Sequence, residues 1–139
     1  MSDLMGAAEN LETHTRCTEA ENRHDMSQHA EFFHDDITVV VAGGDSTVGV
    51  DAYRASLESL FLGMSDFKVV LEDQFATADR VVCRWRATAT HDGELFGIPA
   101  TGKSLDYTGV SVWEFDGGKA NRDWIFPDNV TMMQQLRFA

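Results

Sequence analysis

An α+β fold is what this sequence predicts, with helices first and a curved, mostly antiparallel sheet after them. Three observations point to it. Before Gly63, breaker-free segments carry apolar residues at three- and four-residue steps; after Phe67 the period falls to two; glycine-bearing turns separate the later segments. Helices gathered on one face of a curved sheet leave a cone-shaped pocket, and ligand sites favour such concave, mostly apolar places. The 139 residues suit one domain with one core.

Each element has its own justification. Residues 3–24 lack proline and, after Gly6, glycine, and Leu4, Ala8, Leu11, Thr15 and Thr18 fall at helical spacing. That predicts a first helix whose inner stripe is unusually polar. Asp25 stands where a short second helix would be N-capped. The β-branched run 37–41, ended by Gly43 and Gly44, reads as a strand and a turn. Residues 48–64 form a third helix, opened by Asp51 and stopped at Gly63.

Phe67, Val69, Leu71 and Phe75 then alternate with Lys68, Glu72 and Gln74. In the next strand Val81, Cys83, Trp85, Ala87 and Ala89 share one face, and Arg84, Arg86, Thr88 and Thr90 the other. The polar face suits either solvent or a second copy of the chain, and a homodimer is expected. A glycine-bearing loop, "HDGELFGIPATGKS", leads to the strands "LDYTGVSVWEF" and "ANRDWIF", joined by the tight "DGGK" turn. A short helix, "NVTMMQQL", follows.

The formal net charge of −12 removes any electrostatic case for nucleic acid or an anionic membrane surface. No stretch approaches the roughly 20 apolar residues of a membrane span. The N-terminus has neither a basic start nor an apolar run, so no signal peptide is expected. Cys17 and Cys83 are far apart with no CxxC spacing, which suits free thiols in a reducing compartment and a cytoplasmic protein.

The chemistry-bearing candidates follow from the same pattern. Asp128 closes the last strand behind Trp124, Phe126 and Pro127. A carboxylate in apolar company costs free energy unless it is paired, hydrogen-bonded or protonated. Asp128 is therefore either the N-cap of the final helix or a placed acid. Trp124, Phe126 and Asp128 are two apart and share a face in an unbroken strand. His91 ends the inward face begun by Val81 and is a candidate proton shuttle, or a rim histidine bonded to its loop. Tyr107 shares a face with Ser111 and Trp113, and Tyr53 on the third helix is a further binding candidate. His14 reads as a satisfied, partly buried histidine. His24, His29 and His34 are spaced by five, unlike the i, i+4 pair of helical zinc sites, so no metal is expected. Residues 97–104 match a phosphate-loop pattern literally, but a strand follows where that loop needs a helix.

The stretch "GIPATGKSLDYTGVSVWEFDGGKANRDWIFPDNVTMMQQL" resembles the SnoaL-like polyketide cyclase branch of the NTF2-like superfamily. The resemblance rests on Gly97, residues 99–103, the "DGGK" turn, Trp124, Asp128 and the final Gln135 and Leu136. "RHD", "FFHDDI" and "GVDAYRASLESLF" extend it over nearly the whole chain. It implies the NTF2-like cone-shaped barrel and a cofactor-independent enzyme acting on a small apolar, carbonyl-bearing, polyketide-like substrate. One carboxylate would drive aldol-type ring closure or a related proton transfer. The acid after the last-strand Trp, the general acid/base of the family's cyclases, matches Asp128. His91 and Tyr107 would assist, and Trp113, Trp124, Phe126, Trp85, Ser111 and Tyr53 would contact the substrate.

One departure stands out: some cyclases hold Gln and His where this chain has Ser111 and Trp113. Trp113 can stack and donate one N–H but cannot shuttle protons. The alternatives are a non-catalytic small-molecule binder of the same fold, or a dehydratase, isomerase or epoxide hydrolase. For the last, Asp106, Arg84 and Asp123 are not on one inner face.

Overall fold

A computed structural model describes residues 2–44 and 46–137, with side chains from Gly6 onward. The chain runs α1 (Ser2–Asn22), α2 (His29–Phe32), β1 (Phe33–Val41), β2 (Ser46–Val48), α3 (Val50–Gly63), β3 (Lys68–Ala76), β4 (Arg80–Thr90), β5 (Ser104–Asp116), β6 (Lys119–Pro127) and α4 (Asn129–Arg137). The six strands form one curved sheet that does not close, in the order β2-β1-β6-β5-β4-β3. Only β1 and β6 run parallel; the other neighbours are antiparallel. Among the described residues no helix is long and apolar enough to cross a membrane.

The polar stripe of α1 has a structural use. Its buried positions are Asn10, His14, Cys17 and Ala20, displaced from the expected stripe, and Ala8 is exposed. The side chain of Leu4 lies outside the described residues. Asn10 donates to the Ala78 carbonyl at 2.9 Å. The Asn22 amide clamps β3 at one residue, donating to the Val69 carbonyl and accepting from its N–H, both at 2.8 Å. Hydrogen bonds therefore replace part of the apolar seam that normally docks a helix on a sheet.

The second helix is a single turn, and Asp25 does not cap it. Its carboxylate accepts from the Ser27 N–H and hydroxyl, forming a local turn before Gln28, the residue in the N-cap position. The alternation in β3 also breaks. A bulge between Leu71 and Asp73 flips the phase, so Gln74 turns inward and Phe75, expected inside, is 59% exposed.

A second bulge decides the site. The "DGGK" turn pairs Asp116 with Lys119 and Phe115 with Ala120. Continued without interruption, that register would set Trp113 against Arg122 and turn Trp124, Phe126 and Asp128 inward. The bulge between Glu114 and Phe115 leaves Asn121 over and pairs Trp113 with Asp123 instead. Because side chains alternate, one extra residue exchanges the faces of β6: Asp123 and Ile125 point in, Trp124 and Phe126 out.

Two apolar clusters make the core. One gathers Phe33, Tyr53, Trp113 and Phe115 around α1, and the other gathers Trp85, Leu105, Tyr107, Met132 and Leu136 beneath α4. Ile125 packs against both.

Candidate active site

The clusters do not meet completely. Between them lies a cavity of about 360 Å³, walled by α1, α3, the concave face of the sheet and the start of α4. Its size falls within the range of small-molecule sites. Most of the wall is apolar, and its aromatic surfaces include Trp85, Trp113, Tyr107 and Tyr53. No lysine or arginine lines it among the described residues.

Trp85 owes its position to a missing side chain. A Cβ on Gly109 would stand 2.2 Å from Trp85 Cζ2, so only glycine lets the indole lie across β5. The indole N–H donates to Ser111 Oγ at 2.9 Å, which fixes the ring and occupies the Ser111 hydroxyl as an acceptor. Tyr107 meets Trp85 edge to face. Burial pushes the Tyr107 phenol up to about 12, so it stays a hydrogen-bond donor. Tyr53 is raised well above its ordinary value, first by burial and then by Glu21 and Asp123.

Among the described residues Asp123 is the one aspartate in the cavity wall, and it is 2% exposed. Its Oδ1 has no hydrogen-bond partner among the described residues. Burial, and secondarily the charge of Glu21, hold its carboxyl well above the usual carboxylate range. His14 edges onto Trp113 with ring centroids 4.6 Å apart, and its Nδ1 lies 3.0 Å from Gln74 Nε2. Burial lowers its pKa to about 4, so the ring is neutral at pH 7. The wall thus offers a carboxyl that keeps its proton unusually far up the pH scale, a neutral imidazole and two phenols.

The structure brings together Tyr53, Trp85, Tyr107, Ser111 and Trp113, and corrects four other expectations of placement. Asp128 is exposed and outside the cavity. It caps α4, accepting from the Thr131 N–H at 3.0 Å and the Thr131 hydroxyl at 2.6 Å, and these bonds hold its pKa below the usual range. Trp124 donates its indole N–H to Glu114 under the Arg122 guanidinium, and Phe126 is 49% exposed; both are turned outward by the β6 bulge. His91 is fully buried but does not line the cavity. Its Nε2 faces the Ile98 carbonyl at 3.2 Å, which requires Nε2–H to donate and leaves Nδ1 to accept from the Thr101 hydroxyl at 2.9 Å. His91 therefore latches the loop that precedes β5.

The model of the SnoaL-like polyketide cyclase family matches residues 12–136. This chain belongs to the SnoaL-like polyketide cyclase family. No curated protein matches it. Among solved structures, a protein from Jannaschia sp. CCS1, provisionally described as a SnoaL-like polyketide cyclase, superposes with a TM-score of 0.89 at 21% identity, covering 96% of this chain and 94% of that one. IdmH from Streptomyces antibioticus, provisionally described as a polyketide cyclase, gives 0.80 at 25% identity, with 91% and 97% covered. AclR from Streptomyces galilaeus, provisionally described as a hydroxylase, gives 0.82 at 25% identity, with 94% and 82% covered. The SnoaL-like fold is thus common to proteins described with different chemistries, and the roles of residues must be argued from this cavity.

Sequence reasoning missed Asp123 and Glu21 as cavity residues. A register count across the "DGGK" turn gives the wrong face for Asp123, because the bulge has no signature short of pairing the strands. Glu21 stands one helical turn beyond Cys17, on the helix face that carries the buried stripe. That spacing was legible.

Proposed function

We propose that this SnoaL-like protein is an enzyme that moves a proton on a small, largely apolar, carbonyl-bearing substrate of polyketide type, with Asp123 as general acid/base. The observation that supports this is the unpartnered Oδ1 of a carboxylate buried in an aromatic cavity without a lysine or arginine beside it. Such a group has the basicity to take a proton from carbon next to a carbonyl and the proximity to return it. Tyr107 and Tyr53, held protonated, would donate to the substrate oxygen where negative charge develops. Trp85 and Trp113 would sandwich the rings. Aldol-type ring closure is the reaction that such a pair of roles serves in a cyclase, and isomerisation or dehydration uses the same first step.

The test is hydrogen exchange at carbon. A panel of aromatic β-dicarbonyl compounds is incubated with the protein in D2O and followed by mass spectrometry. Exchange faster than in buffer, lost in Asp123→Asn and kept in Asp128→Asn, supports the proposal. Binding of these compounds without exchange supports instead a small-molecule carrier, a reading favoured by the Ser111 hydroxyl being already engaged by Trp85.

A homodimer through the outer sheet face is part of the same proposal. Val70, Phe75, Val110 and Phe126 are exposed there, and the same face carries the Arg84–Glu72 and Arg86–Asp106 pairs. Light scattering at micromolar concentration reads it directly.

A further inference from the structure

Behind the cavity wall, α1 and α2 bring together three groups, of which only Glu21, whose charge helps raise the Asp123 carboxyl, bears on the acid/base role. Cys17 and Glu21 stand one turn apart on α1, and His29 opens α2. Cys17 Sγ lies 3.4 Å from Glu21 Oε2, His29 Nε2 lies 3.0 Å from that same oxygen, and one ligand atom from each residue falls within 4.8 Å of the others. We propose that Cys17 Sγ, Glu21 Oε2 and His29 Nε2 form a three-ligand site for a divalent transition metal, zinc above all.

Geometry, donor chemistry and charge each carry the proposal. Bonds of about 2.0–2.3 Å at a tetrahedral metal set neighbouring ligand atoms about 3.3–3.5 Å apart. The two edges at Glu21, 3.0 and 3.4 Å, need shifts of only a few tenths of an ångström, and the third, from Cys17 Sγ to His29 Nε2 and within 4.8 Å, must close to about 3.5 Å. Sulfur, imidazole nitrogen and carboxylate oxygen together suit zinc or cobalt rather than magnesium or calcium, which take oxygen alone. The Glu21 carboxylate also faces the cavity, and no lysine or arginine lines the wall among the described residues to offset it.

Cys17 and His29 are fully buried, while Glu21 alone of the three reaches the cavity, so the remaining coordination position opens there. Three protein ligands with one open position is the pattern of a reactive rather than a closed structural zinc site. On binding, the Cys17 thiol loses its proton to solvent and the Sγ–Oε2 and Nε2–Oε2 hydrogen bonds give way to bonds to the ion. Histidine spacing hid the site: His24, His29 and His34 show no zinc pattern, and His29 finds its partners on another helix.

Cobalt(II), a spectroscopic stand-in for zinc, tests this without any assay of turnover, so failure here and failure of the acid/base role are separate results. The full chain, stripped with chelator, is titrated with cobalt(II) and its absorbance recorded. One equivalent should produce tetrahedral visible bands and a thiolate-to-cobalt band in the near ultraviolet, and zinc should bleach them. Cys17→Ser should remove the thiolate band, Cys83→Ser should keep it, and Glu21→Gln and His29→Asn should each weaken binding at least tenfold. If Cys17→Ser does not fold, the wild-type spectrum with Glu21→Gln decides. No stoichiometric band in the wild type, a band that follows Cys83, or affinity indifferent to Glu21 would each overturn the site.

Discussion

Replacing Asp123 with asparagine should make the protein more stable at neutral pH, not less. Asp123 is wholly enclosed, and its carboxyl is raised well above the usual range by burial and by Glu21. A group whose folded pKa exceeds its unfolded value near 3.9 binds its proton more tightly when folded. Between those two values the folded state holds one proton that the unfolded chain has released, so stability falls as pH rises. One proton corresponds to about 1.4 kcal/mol per pH unit, which for a chain of this size moves Tm by roughly 5 °C. Asparagine has nearly the same shape and no charge to lose. Its own hydrogen-bonding cost is the same at every pH, so the slope, rather than the offset, carries the result. Urea unfolding of both proteins in chelator, at half-unit steps from pH 4 to 8, measures it. The difference in favour of asparagine should be smallest near pH 4, widen by about 1.4 kcal/mol per unit, and level off where Asp123 finally ionises. Parallel curves would mean that Asp123 ionises as easily folded as unfolded, and the carboxyl could not be the base proposed.

His14 should give the opposite slope, because its folded pKa of about 4 lies below the ordinary 6.5. Its stabilising neutral form is lost as pH falls from 6.5 to 4, and His14→Gln should flatten that part of the wild-type curve, checked by the same urea unfolding series. Gly109→Ala should cost roughly 1–3 kcal/mol and drive Trp85 off β5, seen as a shift in tryptophan emission and weaker ligand binding. Asp128→Ala should lower Tm slightly through loss of the α4 cap while leaving carbon exchange unchanged. His91→Ala should cost roughly 2–4 kcal/mol by emptying a fully buried ring site and unlatching the loop at Thr101 and Ile98, and proteolysis should then cut between His91 and Ser104 first.

Element order apart from the short β2, which the sequence reading passed over, the inward face of β4 and the face shared by Tyr107, Ser111 and Trp113 were legible in the sequence. Local chemistry determines them: breaker-free helical spacing, period-two runs in β4 and β5, and glycines at the turns. The family was legible for a related reason, since the loop and turn residues of "GIPATGK" and "DGGK" are short-range signals. What the sequence did not determine was which carboxylate faces the cavity. Asp123 and Asp128 stand five apart on the last strand and its end, and a single extra residue in the β5–β6 ladder sends the first inward and the second to the helix cap. A bulge is a property of two strands paired at once, and no window on one strand contains it. The Cys17, Glu21 and His29 cluster is of the same kind. Helical spacing holds two of its members, but only the packing of α2 against α1 delivers the third.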